Sequence, residues 1–257
     1  MIKTIMTRKS IRTFDKKPVS DIDKQKVCSY MENIDNPYGI KVKFVWLDAK
    51  EHGLSSPVIK GESAYIAATV PNVEHCEEAF GYSFEKLVLF AWSLGLGTTW
   101  IGGTMNRKNF EKAANVKEGE LMMCVTPIGY PADKKSFIDK NLRKQVGGDK
   151  RLAASELFFE NDFNPPIQAE DEILETVRWA PSAANMQPCR IVKINNKYHF
   201  YEKQSPMYKG RAGWDVQKVD IGIAICHLMS VIDGQFEINN PNIAVKDGAE
   251  YIATVIA

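Results

Sequence analysis

No apolar run in this chain of 257 residues approaches the ~20 residues that cross a bilayer as a helix, so no membrane partner is expected. Net charge is nearly absent. The 33 Lys+Arg against 32 Asp+Glu leave a formal +1, which gives no reason to expect nucleic acid or an anionic surface. Cysteine is sparse and unpaired: Cys28, Cys76, Cys124, Cys189 and Cys226 are odd in number, scattered, and form no CxxC. That pattern argues against a disulfide framework and for a reduced, cytoplasmic protein. Neither these residues nor the four His cluster at ligand spacing, so no metal site is expected. There is no Gly-x-Ser-x-Gly elbow for a serine nucleophile. There is also no Gly-x-Gly-x-x-Gly after a strand, which argues against a Rossmann domain. Met1–Thr7 lacks an extended apolar stretch and a small-residue cleavage site, so no signal peptide is expected.

The chain does have an ordinary globular composition, 44% hydrophobic, and a hydrophobic pattern that runs through one order of elements twice. In the first half, Ser20 is placed to cap a helix. Val27, Tyr30, Met31 and Ile34 follow at the i, i+3, i+4, i+7 spacing of one buried face. Strands are predicted over 42–47 and 64–70. A long helix through Phe80, Phe84, Leu87, Val88, Ala91 and Leu94 should stop at Gly95-Leu96-Gly97, where glycine favours a left-handed cap. A short helix around Phe110 and an apolar strand over 121–128 close that half. The second half repeats the series with a helix through Ile173, Leu174 and Val177, strands over 190–194 and 198–201, a helix through Ile221, Ile225, Leu228 and Ile232, and a final strand over 251–256. In this reading Ser155–Phe159 takes the place of Ser10–Phe14. The pattern implies a tandem duplication with halves 1–148 and 149–257.

Two strings carry chemistry. Arg8-Lys9-Ser10-Ile11-Arg12-Thr13-Phe14 offers cations and a hydroxyl suited to charge-assisted bonds with a phosphate. Ala180-Pro181-Ser182-Ala183-Ala184-Asn185-Met186-Gln187-Pro188 is a tight turn of small residues with two amides that can each donate and accept. A third segment, Leu94-Gly95-Leu96-Gly97-Thr98-Thr99-Trp100-Ile101-Gly102-Gly103, ends in glycines that permit close approach of a flat ligand. Together the three resemble the flavin-binding signature of the nitroreductase family, and the resemblance covers nearly the whole chain. Cys189 departs from that family's frequent Trp.

The resemblance implies an α+β nitroreductase-like fold with two antiparallel-dominated sheets and surrounding helices. It also implies FMN as cofactor. Arg8, Lys9 and Ser10 would take the phosphate, and Arg12 would face the pyrimidine end of the ring. Ile101, Gly102 and Gly103 would face N5 with backbone N–H groups. Pro181, Ser182, Ala183, Asn185 and Gln187 would close over ring and ribityl. Arg143, with Lys144 second, would complete the phosphate site. Family members are generally homodimers with the flavin at the interface. Here each half holds the motif that the other lacks, so the expectation is a fused pseudo-dimer with one complete site, living as a monomer, with further association left open. Leu157→Arg, in the half without the cations, is expected to change little. The implied activity passes electrons from NAD(P)H to a small electrophile such as a nitroaromatic or quinone, ping-pong through flavin N5, with no side chain acting as general acid. The alternatives are a non-catalytic flavin-binding or storage protein, or a flavin-using relative acting on another substrate.

Overall fold

In the computed structural model, the apolar run Ala64–Pro71 (β2) forms the middle of a sheet, buried along nearly its whole length. Residues on a strand alternate between faces, and both faces of this one are covered. Tyr65 and Ala67 join a cluster with Phe14, Leu47 and Phe110. Ala64 and Ile66 join another with Val27, Leu87, Ala91 and Ile128. The structure describes residues 1–134, 136–145, 147–148, 150–167, 171–205, 213–245 and 248–257. The chain divides into an N-terminal unit, Thr7–Gly147, and a C-terminal unit that joins Met1–Met6 to Gly148–Ala257.

The N-terminal unit contains the C-terminal end of α1 (Ile2–Thr7), α2 (Asp21–Glu32), β1 (Lys43–Asp48), β2, α3 (Cys76–Ser93), β3 (Gly97–Thr98), α4 (Arg107–Ala113), β4 (Glu120–Leu121), β5 (Val125–Gly129) and α5 (Phe137–Gln145). Helix α2 starts as the sequence predicts: the Ser20 hydroxyl accepts from Asp23 N at 3.1 Å. Val27 is buried, and Tyr30, Met31 and Ile34 pack on the cluster around it. Helix α3 stops at Gly95, whose φ of 78° lets Gly95 N and Leu96 N turn back onto Trp92 O and Ala91 O, each at 3.0 Å. The predicted strand over 121–128 is instead two short strands. The carbonyls of Met122 and Met123 accept from the Arg107 guanidinium, which takes them off the ladder between β4 and β5.

The C-terminal unit holds α6 (Ala154–Leu157), β6 (Phe158–Glu160), α7 (Glu172–Arg178), β7 (Cys189–Ile194), β8 (Lys197–Glu202), α8 (Val216–Met229), β9 (Gln235–Glu237) and β10 (Glu250–Ile256). Leaving aside the two-residue β4 and the added β6, the ladders have one plan. Their orders are β1-β2-β5-β3 and β7-β8-β10-β9, and every pairing within them is antiparallel. The long helix follows the second strand of the ladder in both units, α3 after β2 and α8 after β8.

One expected equivalence is corrected. The string 10–14 bridges Thr98, Lys60 and Pro131, beside β3 and the end of β5. Residues 158–160 instead pair in parallel with Ile191–Lys193 of β7, the counterpart of β1, at the other edge of the ladder. Order along the chain suggested the match, and strand pairing overrules it. Leu157 is only 3% exposed. An arginine there would place an unpaired charge in the core, at a cost of several kcal/mol, so the expectation that Leu157→Arg changes little also fails.

Two packing details have measurable consequences. A Cβ on Gly97 would lie 2.7 Å from Cβ of Ile11, which cannot swing aside. Gly97→Ala should cost about 1–3 kcal/mol in urea unfolding; full stability in this variant would contradict this packing. Among the described residues the buried Tyr201 hydroxyl has no hydrogen-bond partner, and burial pushes its pKa up to about 12. Because an unsatisfied buried hydroxyl is costly, Tyr201→Phe should raise stability by about 1 kcal/mol, read by the same unfolding assay.

Candidate functional site

The string Arg8–Phe14 has little structure of its own and is placed by the N-terminal sheet. Ile11 N donates to Thr98 O at 2.8 Å, and Phe14 N donates to Lys60 O at 2.8 Å. Ser10 thereby lies opposite Thr98, next to the glycine that makes room for Ile11. Arg8 turns inward. Its side chain is 5% exposed, and its Nε lies 3.6 Å from Oε1 of Glu85 on α3, which is fully buried. Trp100 Nε1 donates to the other oxygen of Glu85 at 3.0 Å.

The Arg8–Glu85 pair balances charge and leaves donors over. Among the described residues, Arg8 Nε and Nη1 are buried with no hydrogen-bond partner, and so is Thr98 Oγ1. Buried polar atoms without partners are uncommon and costly. A phosphate presents several acceptor oxygens to such donors, so these residues fit the phosphate end of FMN. Lys9 is exposed and Ser10 half-buried. Arg12 sits against α5 instead: its Nη1 is 3.5 Å from Oδ1 of the buried Asp139, and Thr13 Oγ1 reaches Oδ2 of the same carboxylate. Arg143 lies on α5, with its side chain outside the described residues.

The glycine segment is corrected at one position. Ile101 donates its N–H to Val125 O at 2.9 Å and accepts from Val125 N in return, so it has no N–H to offer a ligand. Among the described residues Gly102 and Gly103 donate to no backbone partner. Arg107 Nη2 holds Gly102 O at 2.9 Å, which fixes the turn. A Cβ on Gly102 would meet Cys124 Sγ at 3.2 Å, whereas one on Gly103 would point into open space.

In the C-terminal unit, the turn after α7 is strained. Ala184, Asn185 and Gln187 have φ of 46°, 59° and 52°, in the left-handed region that costs a non-glycine residue about 1 kcal/mol or more. A local network holds them there. Ser182 Oγ accepts from Gln187 N at 2.8 Å, and Gln187 Oε1 accepts from Leu152 N at 2.9 Å. Asn185 Nδ2 donates to Lys150 O at 3.0 Å, while Arg151 Nη1 donates to Asn185 Oδ1 at 3.2 Å. The Arg151 guanidinium also stacks over Trp179, 4.7 Å from the ring centroid. The amides of Asn185 and Gln187, expected to clamp a ligand, are thus the fasteners of the turn itself. A cavity behind the turn, lined by Ser182, Gln187 and Asp220 among others, measures about 20 Å³. That admits about one water and no ring system.

Sequence reasoning missed Glu85, Arg107, Asp139, Arg151 and Asp220. Two had a readable signal, since Glu85 and Asp220 stand beside apolar residues in helices that are buried along most of their length, where an acid is rarely buried without a task. Asp220 Oδ1 and Oδ2 accept from Ala183 N at 3.1 and 3.0 Å. Burial, with lesser help from the charges of Asp215 and Glu202, raises its pKa well above 3.8 against the opposing Ala183 bond.

Among the described residues there is no cluster that could hold a metal and no helix long and apolar enough to cross a membrane. The family described as "Putative TM nitroreductase" matches residues 1–232, and the chain belongs to this nitroreductase family of oxidoreductases. Among solved structures, a "putative nitroreductase" from Thermotoga maritima has the same fold. It is 17% identical, with 99% of this chain and 92% of that one covered and a TM-score of 0.64. An FMN-dependent nitroreductase from Clostridium difficile R20291 is 21% identical over 56% of this chain and 96% of its own, with a TM-score of 0.45. A "Putative NADH dehydrogenase/NAD(P)H nitroreductase" from Bacteroides thetaiotaomicron is 20% identical over 52% and 88%, with a TM-score of 0.44. No curated protein matches the chain.

Asp220 makes stability depend on pH. Above about 3.8 the unfolded chain gives up this proton while the native chain keeps it, so the native state binds more protons and stability falls as pH rises. Asp220→Asn keeps an acceptor for Ala183 N and cannot ionise. It should match the parent near pH 4 and exceed its stability at pH 8 in urea unfolding. A variant that declines in parallel with the parent would show that Asp220 is ionised in the native state.

Proposed function

We propose that this protein is an FMN-dependent oxidoreductase that carries electrons from NAD(P)H to a small electrophilic acceptor, a nitroaromatic or a quinone. The observation that carries the reading is the buried Arg8 guanidinium, with two nitrogens lacking hydrogen-bond partners in the string that the family uses for phosphate. Arg8, with Ser10 and Thr98 beside it, would hold the phosphate, and the exposed Lys9 would add long-range attraction for the anion. Glu85 keeps Arg8 in place and limits its net charge. Arg12, steadied by Asp139, would lend positive charge to the pyrimidine edge of the ring, and a cation there stabilises the reduced ring. Gly102 and Gly103 would offer the backbone N–H groups that Ile101 cannot. The turn Pro181–Gln187 would contribute backbone and small side chains, because its amides are already spent on its own shape. When bound, the flavin supplies hydride acceptance and donation at N5, which is why no side chain is needed as general acid.

We also propose that the two units arose by tandem duplication and bind one flavin per chain. The shared ladder order supports this, as does the occurrence of each motif in one unit only.

FMN titration followed by the absorption spectrum should give one flavin per chain, and anaerobic NADH or NADPH should bleach it. Arg8→Ala and Asn185→Ala should each weaken FMN by about 1–3 kcal/mol, or up to a hundredfold. For Asn185 the loss comes through collapse of the turn. Flavin that binds and resists bleaching by both nucleotides would make this a binding protein. Failure to bind FMN would remove the proposal altogether.

A further inference from the structure

Arg107 is the first residue of α4, and the buried Phe110 one turn on roots that helix, edge-on to Tyr65 at 4.9 Å. From there its guanidinium ties the link between β4 and β5 to the glycine turn. Nη1 donates to Met122 O, while Nη2 donates to Met123 O at 3.0 Å and to Gly102 O at 2.9 Å. We infer that Arg107 is a positioning residue for the N5 edge of the flavin: through Gly102 O it orients and polarises the Gly103 N–H, which makes the bound flavin easier to reduce. This role rests on the flavin reading proposed for the chain.

The two glycine N–H groups differ in what stands behind them. An amide N–H shares its peptide with the carbonyl of the preceding residue, and a bond accepted at that carbonyl polarises the N–H, as along any chain of hydrogen bonds. Behind the Gly102 N–H is Ile101 O, which accepts from the neutral Val125 N–H at 2.9 Å. Behind the Gly103 N–H is Gly102 O, which accepts from a guanidinium, and charge-assisted bonds are about twice as strong as neutral ones. Space selects the same residue. A Cβ on Gly102 would meet Cys124 Sγ at 3.2 Å, while one on Gly103 would meet nothing within 4 Å. Gly103 is thus the polarised donor on the open side of the turn.

The arrangement is held from several directions. Met122 and Met123 are buried, so their carbonyls need the guanidinium donors where they are. At the other end of the turn, the buried Ser56 hydroxyl donates to Thr104 O at 2.6 Å. Glu111 Oε1 lies 3.8 Å from Nη1, the nitrogen that serves Met122, and not at the one that serves Gly102. Its side chain is 39% exposed, so water screens its charge. A reduced flavin carries an added electron pair, and charge near N5 tunes how readily the ring takes it up. A donor backed by a cation favours the electron-rich form.

The affinities of oxidised and reduced FMN separate this role from a purely structural one. Both follow from FMN titration of the purified full-length chain and an anaerobic redox titration of the loaded protein. A turn that only loses its shape weakens both forms alike and keeps their ratio parental. Arg107→Gln retains amide donors and removes the charge. It should shift the ratio about five- to tenfold toward oxidised FMN, the difference between a charge-assisted and a neutral bond. Arg107→Lys restores the charge and should return most of that shift. Gly103→Pro deletes the N–H at an exposed position and should shift the ratio as far, so the test stands even where Arg107→Gln does not fold. A parental ratio in either Arg107→Gln or Gly103→Pro, with FMN bound, would overturn the role of Arg107 and leave the flavin reading intact. A parent chain that binds no FMN would remove both.

Discussion

Arg8 buried against Glu85 is the constraint on which the rest of the N-terminal unit turns. Taking a guanidinium and a carboxylate out of water costs several kcal/mol per ion, and a single attraction at 3.6 Å offsets that only partly. The surrounding structure makes the arrangement tolerable. Helix α3 presents Glu85 from within the core, Trp100 donates to its second oxygen, and Gly97 lets the N-terminal string lie flush on β3. Donors that remain buried and unpartnered are hard to explain by folding alone. They make sense as half of an interaction whose other half is an anion.

The turn of the C-terminal unit shows the opposite economy. Three non-glycine residues with positive φ are held by nearly every polar group that the turn has, and by Arg151, Leu152 and Asp220 outside it. Strain that surrounding contacts over-determine is characteristic of functional segments. Here the polar side chains shape the segment, which leaves its backbone and small residues as the surface available to a partner. The two units thus share a ladder plan and carry different equipment. One has a charged hook with donors to spare, and the other has a strained turn whose amide side chains are engaged in holding its own shape.

Much of the fold was legible in the sequence. The buried faces of α2 and α3, the glycine stop at Gly95 and the strands β1, β2, β7, β8 and β10 follow from periodicity and capping, which act over a few residues. The short strands β3, β6 and β9 were not legible. Two or three residues carry no period, and only pairing partners far along the chain make them strands. The split between β4 and β5 was hidden for a related reason, because Arg107 reaches back from another element to claim Met122 O and Met123 O. Family membership was readable from three strings, and the matching family and the Thermotoga maritima fold bear it out.

By itself the sequence determined which residue types stand where: a cationic string, a glycine-ended helix and a small-residue turn, each recognisable because local chemistry restricts what can occupy such positions. Only the tertiary structure decided what those groups are free to do. It turned Arg8 inward to Glu85, gave Ile101 N–H to Val125, spent Asn185 and Gln187 on their own turn, and moved residues 158–160 to the far edge of a ladder. The physical reason is that a hydrogen bond or ion pair is a property of two partners. The second partner, here 34 to 77 residues away for the pairs Arg151–Asn185 and Arg8–Glu85, is set by packing and strand pairing, which no local pattern encodes.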